Sequence, residues 1–413
     1  MPLSSLVEVI PLESPVTAEV AVPGSKSITN RALILAALAS GRTRLEGALF
    51  SEDTQVMVDC LQKLGFQISI EPDFHEPGNR TITVDGRGGE VPGGGALEAP
   101  LELFVGNSGT TARFVAALAC LGNGAVRLSG AARMHERPQR DLFIALRGLG
   151  YRIESAGDRL PAVIYGGGPR PGAKCRARID ESSQFASALL LVRERGKWDV
   201  AVEGEDSAES PYVRMTTDLV KAFPQAGGAF QIEPDASSAS YFWGAGWLLE
   251  TSQIRVAKWM ERSLQIDAQF PHFVRPFAPS ISRLKDLGDS IMTAIVLAPF
   301  AEAPKIFTDL GRLRLQECER VRALRTELAK CGANVIEQGD TLRVTPGPLH
   351  GAEIETYGDH RMAMCFAMIG LRAPGIRIKD PACVKKTFPN FFDKLAAPPP
   401  AGLGATLLFS RDR

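Results

Sequence analysis

Six cations of this chain sit at helix starts or turns: Lys26, Arg31, Arg137, Arg320, Arg361 and Lys386. A cation beside the free backbone N–H groups of a helix N-terminus is a device for holding an anion. PGSKSITNR (23–31) puts Lys26 at the mouth of a helix, with Ser25 and Ser27 as cap hydroxyls and Arg31 one turn inside. GNSGTTAR (106–113) repeats the logic with small residues, and Gly109 lets a ligand approach the backbone closely. ERPQR (136–140) stiffens Arg137 with a proline, and ESSQF (181–185) offers Ser182, Ser183 and Gln184 at another helix start. Taken singly, PGSKSITNR reads equally as an ordinary capped helix, GNSGTTAR more readily as a tight turn before a core helix, ERPQR more readily as a surface loop, and ESSQF as a cradle or a cap. In LRLQECERVRALRTELAKCG (313–332), Val321, Leu324, Leu328 and Cys331 form an apolar helical stripe. One turn back, the stripe reaches Glu317, with Arg320 adjoining. GDSIMT places Asp289 at a helix cap, and GDHRMAM places His360 and Arg361 in a first turn, where the helix dipole calls for a compensating negative charge. Asp289 and Glu317 are two carboxylates available for proton transfer.

The elements that carry these groups repeat. Small polar residues precede Ala/Leu-rich runs at Ser27, Ser108, Ser182, Ser237, Asp289 and Asp359. Helices apolar on most faces must be buried, and Gly41 and Gly122 stand where C′ glycines belong. A second phrase, an amphipathic helix ending at glycine and entering a strand, recurs in LQKLGFQISI (61–70), LRGLGYRIES (146–155) and LAKCGANVIE (328–337). Weaker versions are LVKAFPQAGGAFQI (219–232) and RLKDLGDS (283–290). Three apolar runs precede the Gly227-Gly228 stretch and three follow it, so two domains are expected: 22–232, and 1–21 with 233–413. The stretch LVEVIPLE could pair with either domain, 86–95 reads as a surface loop, and the Pro/Gly-rich tail from 397 is expected to be poorly ordered.

Lys+Arg 47 balance Asp+Glu 47 in 413 residues, which argues against a general nucleic-acid or membrane-surface binder. Seven cysteines without CxxC spacing fit reduced thiols in a cytoplasmic protein rather than a disulfide frame or metal site. No apolar run approaches the ~20 residues of a membrane span, and the first residues carry no signal-peptide pattern.

The chain resembles the 5-enolpyruvylshikimate-3-phosphate (EPSP) synthases. The matching segments are PGSKSITNR, GNSGTTAR, ERP, SSQF, DASSASYF, DSIMT, QECERV, GDHRMAMCF and KKTFPNF, in the family's order, over about 20–392. The resemblance implies an α/β (α+β), two-domain enolpyruvyl-transferase-like fold. Each domain holds three βαβαββ units with buried parallel helices, and the active site lies in the interdomain cleft. The implied reaction moves the enolpyruvyl group of phosphoenolpyruvate to the 5-hydroxyl of shikimate 3-phosphate, with no metal or cofactor, in a cytoplasmic monomer. The family's pattern gives Lys26 contact with both substrates. It assigns the shikimate carboxylate to Ser27 and Arg31, and the shikimate ring and phosphate to Ser182, Ser183, Gln184 and Tyr212, with Gln316 and Asp289 completing that substrate's contacts. Gly109, Arg137, Gln184 and Lys386 fall to the phosphate of phosphoenolpyruvate, and Arg320 and Arg361 to its carboxylate. Asp289 is the base for the 5-hydroxyl, and Glu317 serves the methylene carbon.

Four positions depart from the family's usual residues: Gln316 for Lys, Arg312 for Asn, Glu209 for Ser and Phe114 for Pro. Arg312 and Gln316, one turn apart if a helix already begins there, could exchange a charge toward one anion. Two alternatives stand beside this reading. One is a UDP-N-acetylglucosamine enolpyruvyl transferase, which carries a reactive cysteine in a Gly-rich loop, a context that Cys60, Cys120 and Cys175 lack. The other is a non-catalytic anion-binding paralogue.

Overall fold

The structure, a computed structural model of the chain, describes residues 5–204, 210–260 and 262–410. Glu209 lies outside the described residues. The chain divides into two compact units: Gly24–Glu233, and Met1–Pro23 together with Pro234–Arg413.

The apolar runs form helices whose composition dictates burial. They are Lys26–Leu38, Gly109–Cys120 and Ser183–Gly196 in one unit, and Ala236–Leu248, Ile291–Leu297 and His360–Gly370 in the other. Every residue of Gly109–Cys120 and of Ile291–Leu297 is buried. Five of them pack on strands of their own unit, whereas Ile291–Leu297 packs against the helices Ala236–Leu248, Arg320–Lys330 and His360–Gly370. In the first unit one sheet runs Gly228–Gln231, Arg42–Leu49, Asn79–Asp85, Ile68–Pro72. A second runs Leu101–Phe104, Asn123–Ser129, Ala162–Gly167, Arg152–Ser155, and Lys174–Arg178 pairs with Asp199–Glu203. The other unit repeats the plan. Ser280–Ser282, Lys305–Thr308, Thr341–Thr345 and Asn334–Gln338 form one sheet. Ala352–Ile354, Ile376–Lys379, Leu6–Val9 and Leu407–Ser410 form another, and Gln253–Val256 pairs with Thr17–Val20. All four larger sheets begin with a parallel pair and continue antiparallel. The third sheet of each unit is a parallel pair alone.

The repeated glycine phrase ends its helices as expected. Gly65, Gly150 and Gly332 have φ of +93°, +92° and +88°. In each case the following residue closes the turn, with Phe66 N–H bonding Leu61 O, Tyr151 N–H bonding Leu146 O and Ala333 N–H bonding Leu328 O. That is the left-handed glycine cap, which side chains resist. Gly41 and Gly122 are not left-handed. Gly41 is needed for close approach instead, because a Cβ there would collide with Ala226 O.

Two further expectations are corrected, and one left open is settled. RLKDLGDS ends no helix: the residues after Ser282 form turns, tied by Asp286 Oδ2 accepting from Ser282 N–H at 2.8 Å. The first strand pairs with the later unit, bonded to Ile376–Lys379 and Leu407–Ser410. The described part of the tail is therefore ordered, since the strand Leu407–Ser410 satisfies the free edge of Leu6–Val9.

Candidate active site

In each unit the N-terminal halves of the three buried helices are tied to one another by polar side chains. In Gly24–Glu233, Gln184 donates to Thr110 Oγ1 at 3.3 Å and Arg31 donates to Ser187 Oγ at 3.0 Å. In the other unit, Ser240 and Thr293 hydroxyls meet at 2.8 Å and Thr293 reaches Cys365 Sγ at 3.7 Å. Helix starts gathered in this way concentrate unsatisfied N–H groups, the condition for holding anions.

The caps differ in part from expectation. Ser108, Ser182 and Asp359 are N-caps whose side chains accept from the first turn. The first helix begins at Lys26 with Ser25 in the cap position, so Ser27 lies within the turn. The fourth is capped by Asp235, not Ser237. Asp289 is not a cap. Asp267, 4% exposed, replaces it by accepting from Gly288 N–H (2.7 Å), Ser290 N–H (3.2 Å) and Ser290 Oγ (2.6 Å). That frees the Asp289 carboxylate for other partners.

In Gly24–Glu233 the candidates fall into linked groups. Lys26 Nζ pairs with Asp53 at 3.1 Å, and Asp53 O accepts from Thr111 in the Gly109 helix at 3.3 Å. Gly109 packs beneath two guanidiniums, since a Cβ there would lie 2.5 Å from Arg113 Nη1 and 2.7 Å from Arg137 Nη2. Arg137 donates to Asn107 O at 3.0 Å. Arg113 donates to Gln184 Oε1 at 2.5 Å and to Pro138 O at 2.8 Å, so it fixes both Gln184 and the loop carrying Arg137. Arg31 donates to Ser27 O at 2.9 Å and, through Nε, to Thr216 Oγ1 at 2.7 Å. Thr216 in turn donates to Tyr212 O at 2.8 Å. Ser183 is buried next to the Ser182 cap.

In the other unit, Asp289 faces Arg361 Nε (3.2 Å), Arg283 Nη2 (3.4 Å), Arg320 Nη1 (3.7 Å) and the Gln316 amide (3.3 Å). Glu317 bridges Arg320 at 2.8 Å and Lys386 at 3.1 Å. Arg320 also holds Asp359 at 2.7 Å and donates to the Gln316 carbonyl. Burial alone would raise the Asp289 carboxyl, but Arg361, Arg320 and Arg283 outweigh it and hold it far below the ordinary carboxylate range. For Arg361, burial opposes the charge, but Asp289 and then Asp235 and Asp267 more than compensate, which supplies the negative partners its helix position demands. Desolvation drives the buried His360 well below its ordinary pKa, so it is neutral.

The segment around Glu317 is not helical. Leu310–Leu315 is a 3-10 turn, the next helix begins at Arg320, and Glu319 caps it. Arg312 and Gln316 are therefore not stacked on one helical turn, and Glu317 is held by ion pairs rather than by an extended stripe.

Sequence reasoning missed Arg113, Asp53, Asp267, Thr216 and Arg283. Arg113, a charge inside an Ala-rich helix, was the one with a visible signal. Asp267 sits in a stretch without periodicity, and Arg283 opens RLKDLGDS, whose pattern reads only as the end of a helix.

The sequence matches the family described as EPSP synthase (3-phosphoshikimate 1-carboxyvinyltransferase) over residues 11–225 and 271–395. The chain belongs to the EPSP synthase family. The 3-phosphoshikimate 1-carboxyvinyltransferase of Nostoc punctiforme is 38% identical over 428 residues, covering 94% of this chain and 98% of that protein. Its counterpart from Laribacter hongkongensis is 39% identical over 423 residues, covering 92% and 96%. Among solved structures, EPSP synthase from Acinetobacter baumannii aligns with a TM-score of 0.78 at 22% identity, over 98% of this chain and 99% of that one. The enolpyruvyl transferase NikO from Streptomyces tendae aligns at 0.72 and 17%, over the whole of both chains. These structural matches give the fold: the two-domain EPSP synthase-like α/β architecture.

Proposed function

We propose that this EPSP synthase family member transfers the enolpyruvyl group of phosphoenolpyruvate to the 5-hydroxyl of shikimate 3-phosphate and releases phosphate. The observation that carries this reading is Asp289 and Glu317, two carboxylates held by Arg320, Arg361 and Lys386 in a chain of that family. Arg320 and Arg361 take the carboxylate of phosphoenolpyruvate. Gly109, Arg137, Gln184, Lys26 and Lys386 take its phosphate. Ser27 and Arg31 take the carboxylate of shikimate 3-phosphate, Ser182, Ser183, Gln184 and Tyr212 its ring and phosphate, and Gln316 an acceptor hydroxyl.

Asp289 removes the 5-hydroxyl proton as that oxygen bonds to C2 of phosphoenolpyruvate, and Glu317, entering the step in its protonated form once the donor's anions occupy Arg320 and Lys386, delivers that proton to C3. When the C2–O bond to phosphate breaks, Glu317 takes one proton back from C3, which restores the double bond. Without ligand, Asp289 is a weak base, because Arg361 and Arg320 stabilise its charge. A substrate carboxylate on those same guanidiniums draws their charge away and makes Asp289 more basic, so the base strengthens when the donor is bound. Alignment and charge stabilisation then supply most of the acceleration.

The cysteine-dependent alternative finds no support in the thiols of the first half. Cys60, Cys120 and Cys175 are buried, and desolvation pushes Cys60 up to about 12 and Cys175 up to about 11. A buried thiol is a poor nucleophile. Phosphate release from phosphoenolpyruvate with shikimate 3-phosphate, or with UDP-N-acetylglucosamine in its place, tests the assignment. Release with the sugar nucleotide alone contradicts it.

A further inference from the structure

Two buried arginines of Gly24–Glu233 each lie on the face of a phenylalanine. Arg31 Cζ is 5.3 Å from the Phe114 ring centroid, and Arg113 Cζ is 5.2 Å from that of Phe185. Both arginines are 2% exposed and both rings are fully buried. For Arg31, the hydrogen bonds to Ser27 O, Thr216 Oγ1 and Ser187 Oγ engage the edge of the guanidinium. Edge bonds engage the donors of this planar group but leave its two faces open to packing. A ring against the face restrains tilt and adds a favourable quadrupole interaction, strengthened by the absence of water.

Phe114 is also placed to act on one anion and spare the other. It shares its helix with Gly109 and Arg113, which are four residues apart and so lie on one side of the helix. That side meets Arg137, which takes the phosphate of phosphoenolpyruvate under the proposed function. Phe114 comes one residue later, turned by about 100°, and meets Arg31 instead.

We propose that Phe114 is a positioning residue for recognition of the acceptor: its ring holds the Arg31 guanidinium in the plane in which it receives the carboxylate of shikimate 3-phosphate. This rests on the reading of Arg31 given under the proposed function. A ring that merely filled the core would be indifferent to its own electron density, whereas a ring stacked on a cation is not.

The full-length enzyme is prepared with 4-fluoro-, 3,5-difluoro- and 3,4,5-trifluorophenylalanine at position 114, which keep the shape nearly constant while weakening the quadrupole. The Kd for shikimate 3-phosphate rises stepwise along the series, by about three- to ten-fold at the end, while the KM for phosphoenolpyruvate stays within two-fold. A flat series overturns the proposal, and so does an equal rise for both substrates. Arg31→Gln separates the two levels. If it abolishes acceptor binding while the fluorinated series is flat, Phe114 is only core and the proposed function stands. If Arg31→Gln leaves acceptor binding intact, the assignment of Arg31 fails and the role of Phe114 falls with it.

Discussion

Asp289 shows how a residue's chemistry depends on which neighbour does its structural work. With Asp267 capping the backbone on either side of it, Asp289 spends its carboxylate on three guanidiniums and an amide. Asp289→Asn and Glu317→Gln remove proton transfer while nearly preserving shape. Each is expected to lower kcat by on the order of 100-fold with small changes in KM, as steady-state assays will show. Near-normal turnover in both variants reduces these groups to structural ion pairs. The ion pairs also carry a pH signature. Because the folded pKa of Asp289 is depressed, its contribution to stability is present above the unfolded value of about 3.9 and is lost as pH falls toward the folded value. The stability gap between wild type and Asp289→Asn, measured by urea unfolding, therefore narrows below about pH 4. Gly109→Ala tests the donor side. The added methyl displaces the Arg113 and Arg137 guanidiniums by steric contact, so the KM for phosphoenolpyruvate rises by about ten-fold, the cost of weakening one charged hydrogen bond, with little change for the acceptor.

At the scale of elements, two glycines two residues apart behave oppositely. Gly150 has φ +92° and Gly148 is helical, and neither has an atom within 4 Å of an added Cβ. Gly150→Ala thus isolates the conformational cost and destabilises by about 1–2 kcal/mol, whereas Gly148→Ala stabilises by about 0.5–1 kcal/mol through helix propensity. Thermal unfolding of the two variants reads the sign directly: no loss in Gly150→Ala refutes the left-handed cap, and a loss in Gly148→Ala refutes the helix-propensity gain. This part of the fold was legible in the sequence because LQKLG, LRGLG and LAKCG each record a local turn. The buried helices were legible because their composition leaves no polar face. Their first residues were less so: Ser25 and Asp235, rather than Ser27 and Ser237, hold the cap positions, because several adjacent hydroxyls and carboxylates could serve and tertiary bonds choose among them. The Glu317 segment was misread for a related reason. A helical stripe extends backward on paper without limit, but Leu310–Leu315 is tightened into a 3-10 turn, and Leu310 N–H bonds the distant Asp340 O. The strand pairing of the tail is a contact between the two ends of the chain, which no local pattern encodes.

Over the whole molecule, zero formal charge is matched by internal pairing of four of the six cations at helix starts and turns. Lys26 has Asp53, Arg320 has Asp359 and Glu317, Arg361 has Asp289, and Lys386 has Glu317. On the proposed function, anionic substrates compete with these carboxylates, and such compensation accounts for cations that leave no trace in overall composition. The motifs in the sequence named the groups and the comparisons fixed the family, while the partner acids Asp53, Asp267 and Asp359 emerged only from three-dimensional contacts. The central claim, enolpyruvyl transfer to shikimate 3-phosphate, is tested most directly by phosphate release from the purified full-length chain, with each substrate omitted in turn and EDTA present. The account predicts release only when phosphoenolpyruvate and shikimate 3-phosphate are both supplied, undiminished by EDTA. Release without shikimate 3-phosphate, or none with both substrates present, contradicts it.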